Sequence, residues 1–204
     1  MRWMNVLVPV GTAAVLSAGC AGSDAPQAKP SATPLPNVVP SPTGPAALGD
    51  VKPSPSPGKN ASLAENLQYE LRIKTIKMAY AMGRTSAECD ENVRPEPGAK
   101  VTCTVTYEGV RVPWNVTIGS RGFSPGLIEY TAEPAMGVIT REGAIRFYWA
   151  NKAFGRQVRC SDMPAVELVP LDKPTRYQCE TSPLVKESLQ ATDAGPRFYQ
   201  YSPN

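Results

Sequence analysis

Two hydrophobic periodicities follow one another in the C-terminal two thirds of the chain. Leu67, Leu71, Met78 and Met82 recur at helical spacing, flanked by Ile73, Ile76 and Tyr80. So broad an apolar stripe predicts a helix packed on a sheet. Ser62-Leu63-Ala64-Glu65 has the form of a capping box that opens this helix, and Gly83 stands where a stop is expected. The period then changes from 3.6 to two. Val101, Cys103, Val105 and Tyr107 share one face of a strand, with Thr102, Thr104 and Thr106 on the other. Glu108-Gly109 turns the chain, Val112, Trp114, Val116 and Ile118 share a face of the next strand, and residues 127–131 supply a third.

The same order returns further on. A second helical stretch begins at Thr140 or Arg141, runs through Ile145, Tyr148, Trp149 and Phe154, and ends at Gly155. Strands are expected over Glu187 to Thr192 and Arg197 to Tyr201. The predicted fold class is α+β: two tandem small units, 62–134 and a degenerate 135–204, each a helix packed on a short antiparallel β-sheet. Four cysteines, Cys89, Cys103, Cys160 and Cys179, allow three connectivities. Cys89 and Cys103 hold the same place in the first unit that Cys160 and Cys179 hold in the second. The repeat therefore selects Cys89–Cys103 and Cys160–Cys179, one bridge per unit. With no C-x-x-C and no His, a metal site is not expected, and no cofactor is implied.

The N-terminal third differs. Residues 1–20 carry Arg2, an apolar stretch from Val6 to Val15, and then Leu16-Ser17-Ala18-Gly19-Cys20. The stretch is too short to span a bilayer, and the pattern is that of an export signal. Its end resembles a bacterial lipobox, with Ser17 where a large aliphatic residue is usual. The resemblance implies that Cys20, the odd cysteine of five, is lipidated and anchors the chain to the extracytoplasmic face of the cell membrane. Residues 21–61 are rich in Pro, Ser and Ala and hold no aromatic residue, which predicts a disordered, extended tether.

Composition narrows the chemistry. With no His among 204 residues, the commonest general base is missing. A net charge of +3 does not call for a nucleic-acid partner. Ser56-Pro57-Gly58-Lys59 matches an S-x-x-K string, but Pro-Gly keeps its Ser and Lys off one helical turn. Glu88-Cys89-Asp90-Glu91 reads as a solvated acidic turn. No catalytic residue is assigned.

The stretch Ala87-Glu88-Cys89-Asp90, then Pro97-Gly98-Ala99-Lys100-Val101-Thr102-Cys103-Thr104-Val105, Glu108-Gly109 and Trp114-Asn115-Val116-Thr117-Ile118, resembles the DUF4333 family of actinobacterial exported proteins and lipoproteins. The second unit keeps Val158-Arg159-Cys160 and Cys179 but lacks the Gly-Ala before its second Cys. That family has no defined activity, so the resemblance implies an envelope location and a disulfide. In outline, the tandem arrangement is also similar to beta-lactamase inhibitory proteins. The expected function is a non-enzymatic surface lipoprotein that binds an envelope protein or wall component. The alternatives are a carboxylate-using envelope hydrolase or transferase and a secreted inhibitor-like protein. Trp149, Tyr148, Phe198, Tyr199 and Tyr201 are contact candidates, most of them expected in the core.

Overall fold

Helix α1 (Leu63–Ala79) begins where the capping box places it, and the computed structural model shows both halves of the box. The Glu65 amide donates to Ser62 Oγ at 3.2 Å, and the Ser62 amide donates to Glu65 Oε2 at 2.7 Å. The structure describes residues 33–43, 48–90, 93–121, 128–183 and 185–200. Residues 1–20, read above as an export signal ending in Cys20, and Glu91, Leu127 and Tyr201 lie outside them. The helix ends three residues earlier than the apolar spacing suggests. Tyr80 takes the left-handed conformation at φ 52°, and its amide closes on Lys77 O. Gly83 has a different task, because a Cβ there would lie 2.7 Å from Tyr107 Cζ. It lets the chain pass over that ring.

Strands β2 (Thr85–Cys89), β3 (Lys100–Tyr107), β4 (Val110–Arg121) and β5 (Ile128–Pro134) form an antiparallel sheet in that order. The alternation of β3 and β4 becomes alternation of burial: Val101, Cys103, Val105, Tyr107, Val112, Trp114, Val116 and Ile118 are all at most 5% exposed. Their covering layer is α1, through Leu67, Leu71, Ile76 and Met78. Trp114 Nε1 donates to Thr75 Oγ1 at 3.2 Å, which in turn donates to Leu71 O at 2.8 Å. The largest ring in this core thus enters with its one polar atom satisfied.

The second part begins with β6 (Gly137–Thr140), which the sequence reading does not anticipate. It pairs with β8 (Val166–Val169) to make a two-stranded ribbon. All four β6 residues are buried; Val138 joins the first core and Ile139 the second. A strand buried on both faces shows no alternation. Helix α2 (Arg141–Tyr148) is capped by Thr140 and runs into a five-residue π-helical turn, Trp149–Ala153. Phe154, left-handed at φ 47°, and Gly155 then reverse the chain.

A five-stranded antiparallel sheet follows, ordered β1 (Asn37–Val39), β7 (Val158–Cys160), β9 (Pro174–Ser182), β10 (Val185–Thr192) and β11 (Gly195–Gln200). The core beneath it holds Tyr148, Val158, Met163, Tyr177, Leu189 and Phe198. Strand β1 corrects the tether expectation. Composition assigns 21–61 to a disordered tether, yet in its described part Asn37, Val38 and Val39 pair with Cys160, Arg159 and Val158. Leu35 and Val51 are buried. These few apolar residues, diluted among prolines, are enough to seat the segment on an existing surface.

Cys89 is bonded to Cys103 and Cys160 to Cys179. Each bond joins directly facing residues on neighbouring strands, β2 with β3 and β7 with β9. The fold is mixed α+β, and β-sheet dominates it. The two halves meet through the β6–β8 ribbon and at a tight joint. Thr140 Oγ1 donates to Ala79 O at 2.9 Å, and a Cβ on Gly143 would sit 2.0 Å from that same carbonyl oxygen.

Candidate functional site

The tether's seat is the most chemically specific place on the second sheet. Glu180 on β9 faces Arg159 on β7, in the row that β1 extends with Val38. Between these charges lies the backbone of Leu35. Its N–H donates to Glu180 Oε1 at 2.6 Å, and its carbonyl accepts from Arg159 Nη1 at 3.2 Å. Glu180 is only 1% exposed, and its other oxygen, Oε2, is buried without a hydrogen-bond partner. Neighbouring Pro34 and Pro36 have no N–H, so Leu35 supplies the only backbone donor of that triplet.

A second seat holds the tether closer to α1. Arg72 is buried, donates through Nε to Thr85 Oγ1 at 3.0 Å and through Nη1 to Pro55 O at 3.0 Å, and also donates to Ser54 O. Burial is what lowers its pKa. Both seats use an arginine to read backbone carbonyls of a proline-rich chain, whose carbonyls have few amide donors nearby to satisfy them.

Among the described residues, four surface clefts stand out. One of about 590 Å³ is lined by Pro40 to Thr43, Arg141, Glu142, Ile145 and Ala165. Its arginine is already engaged, since Arg141 Nε donates to Met163 O at 2.6 Å. A cleft of about 500 Å³ lies between α1 and β5, beside Leu63, Glu70 and Tyr130. The other two hold Glu65 and Glu108. Each of the four has a single carboxylate, whereas a carboxylate acid–base pair needs two. Among the described residues, no group of three or more His, Cys, Asp or Glu is placed to hold a metal ion.

A partly buried polar cluster lies between the π-helical turn and β10. Lys152 Nζ meets Glu187 Oε1 at 2.9 Å, and Tyr148 hydrogen-bonds to Glu187. Tyr148 is 1% exposed, and burial first, then Glu187, raises its pKa. The cluster joins the π-helical turn to β10.

The aromatic candidates separate accordingly. Tyr148 and Phe198 meet edge to face at 4.7 Å inside the core, and Trp149 is half-buried. Tyr199 is exposed, and Phe154, at 83% exposure, projects furthest. The acidic turn read at 88–91 is corrected: Glu88 and Cys89 belong to β2, and Asp90 continues its pairing with β3. The Asp90 amide donates to Thr102 O at 3.3 Å, and its Oδ2 accepts from the Thr102 amide at 3.3 Å. Sequence reasoning missed Glu180, Arg159 and Arg72. Their signal is weak, because each is a single charge in a strand or helix whose partner lies in a segment read as a tether. No helix among the described residues is long and apolar enough to cross a membrane. No family model, curated protein or solved structure matches the chain.

Proposed function

We propose that this chain is a surface lipoprotein, anchored through Cys20 to the extracytoplasmic face of the cell membrane. Its folded part is a non-catalytic, disulfide-stabilised module that binds an envelope protein or wall component. The observation that carries this reading is the pair of disulfides, Cys89–Cys103 and Cys160–Cys179, downstream of an export signal that ends in a fifth cysteine. Disulfides persist in oxidising compartments, and an exported chain with one cysteine left over needs a use for it. Lipid chains on that cysteine would hold the module at the membrane, each buried methylene contributing about 0.8 kcal/mol.

On this reading residues 62–134 are a DUF4333-like unit and 135–204 a diverged second copy. What supports the duplication is shared order: a helix, then a four-stranded meander whose first two strands are joined by a disulfide between facing residues. The β6–β8 ribbon and β1 are additions to that plan.

Labelling cells with a palmitate analogue tests the anchor. The wild-type chain is expected to take the label and fractionate with membranes, and Cys20→Ala to do neither. Equal labelling of both would end the lipoprotein reading.

A further inference from the structure

The seat around Glu180 has the features of a ligand site more than those of a passive packing contact. A carboxylate that is 1% exposed, with one neutral N–H as partner to Oε1 and none to Oε2, is a costly way to hold a strand. An apolar residue of the same size would pack there without that cost. The cost becomes understandable if the carboxylate selects. Within Pro34-Leu35-Pro36 one backbone donor is available, and Glu180 takes it; Arg159 takes the carbonyl of the same residue. The Leu35 side chain is itself buried. Three further residues then add a strand to the β7 edge, with Val38 half exposed.

We infer that Glu180, Arg159 and the β7 edge form a binding site for an extended peptide in which a large aliphatic residue lies between two prolines, and that residues 34–39 occupy it in cis. Such a peptide reaches the site already extended, because its prolines fix φ, so little ordering entropy is lost on binding. Strand addition supplies affinity along the β7 edge, and the Glu180–Arg159 pair sets the register. The cis segment occupies the site at the high effective concentration of a short intramolecular connection.

The test uses a fluorescent peptide with the sequence of residues 33–40 and the full chain in mild detergent. Every protein in it carries Cys20→Ala, so lipid attachment has no part in the result. Leu35→Ser weakens the cis segment, and this chain is expected to bind the peptide at least ten-fold more tightly than the chain with Leu35 intact. Adding Glu180→Ala, or replacing the peptide's own leucine by serine, is expected to abolish that gain. Equal binding with and without Leu35→Ser, or binding indifferent to Glu180, would overturn the site. Should Leu35→Ser fail to fold, Glu180→Ala in an otherwise intact chain, which removes the acceptor of the Leu35 N–H, carries the test. Hydrogen exchange at 35–39 is then expected to rise at least ten-fold while β9 and β10 stay protected. Unchanged exchange at 35–39 would equally overturn it.

Discussion

The two halves of the molecule each pack a helix on an antiparallel sheet, and they reach different cores. The first buries Trp114, Tyr107, Leu67, Leu71, Ile76, Met78 and Ile118 between a 17-residue helix and four strands. Its buried polar residues are Arg72, which reads the tether, and Thr75, which serves Trp114. The second has an eight-residue helix, a three-residue first strand, and Glu180, Glu187, Ser188 and Thr192 buried on β9 and β10. Apolar burial at about 25 cal/mol per Å² therefore favours the first half. The second draws on other resources: a shared ribbon, an ion pair between Lys152 and Glu187, and a borrowed strand. A small core can persist when neighbouring chain supplies what it lacks.

The largest expected effect lies in the stronger half. Trp114→Ala removes the central ring and the partner of Thr75, at about 3–5 kcal/mol of stability measured by denaturant unfolding. A loss under 1 kcal/mol would mean that α1 is not held through this ring.

Replacing one disulfide at a time compares the halves directly. The bridges span 14 and 19 residues, and each is expected to contribute about 3 kcal/mol in the chain-entropy model. Without Cys160–Cys179 the second sheet is expected to exchange its amides first while the first stays protected. Without Cys89–Cys103 the apolar core is expected to keep the first sheet largely protected. The reverse pattern would invert the ranking of the two halves.

Gly143→Ala strikes the joint. The new Cβ meets Ala79 O at 2.0 Å and Thr140 Oγ1 at 2.7 Å, so α2 has to shift. The expected cost is about 1–3 kcal/mol, with the end of α1 and the start of α2 disturbed together. An unaltered melting temperature would show that the halves do not press on one another here.

Alkaline titration probes the first core more gently. Burial first, then Glu108 and Glu142, pushes the Tyr107 hydroxyl up to about 12. Unfolded tyrosine ionises near 10. Protonation of Tyr107 therefore favours the fold fully below about pH 10, and that contribution is lost as pH rises toward 12. Tyr107→Phe is expected to lose the hydrogen bond to Ala81 O, about 1 kcal/mol, and to flatten this part of the alkaline stability profile. The same alkaline slope in the variant would assign it to other tyrosines, such as Tyr130.

Much of the first half is legible in the sequence, because its elements are long and one-sided. The capping box, the alternation of β3 and β4 and the α1 stripe each state their own geometry. The cysteines are legible because they recur at equivalent places. The second half is harder to read. Gly137 to Thr140 face two cores at once and lose their period. Val158 to Cys160 form a strand too short to show one. Strand β1 is hidden for another reason. Asn37, Val38 and Val39 sit among prolines that signal extension, and extension is as compatible with an edge strand as with a free tether. Glu180 and Arg159 become recognisable as a pair only once β7 and β9 are placed side by side.

The claim that the tether completes the second half is tested most directly by hydrogen exchange on the full-length chain, resolved to individual amides. The Leu35 amide and its neighbours through Val39 are expected to be protected together with β7, at a level above residues 48–50. Exchange across 35–39 as fast as in an unstructured chain, with β9 and β10 still protected, would contradict it.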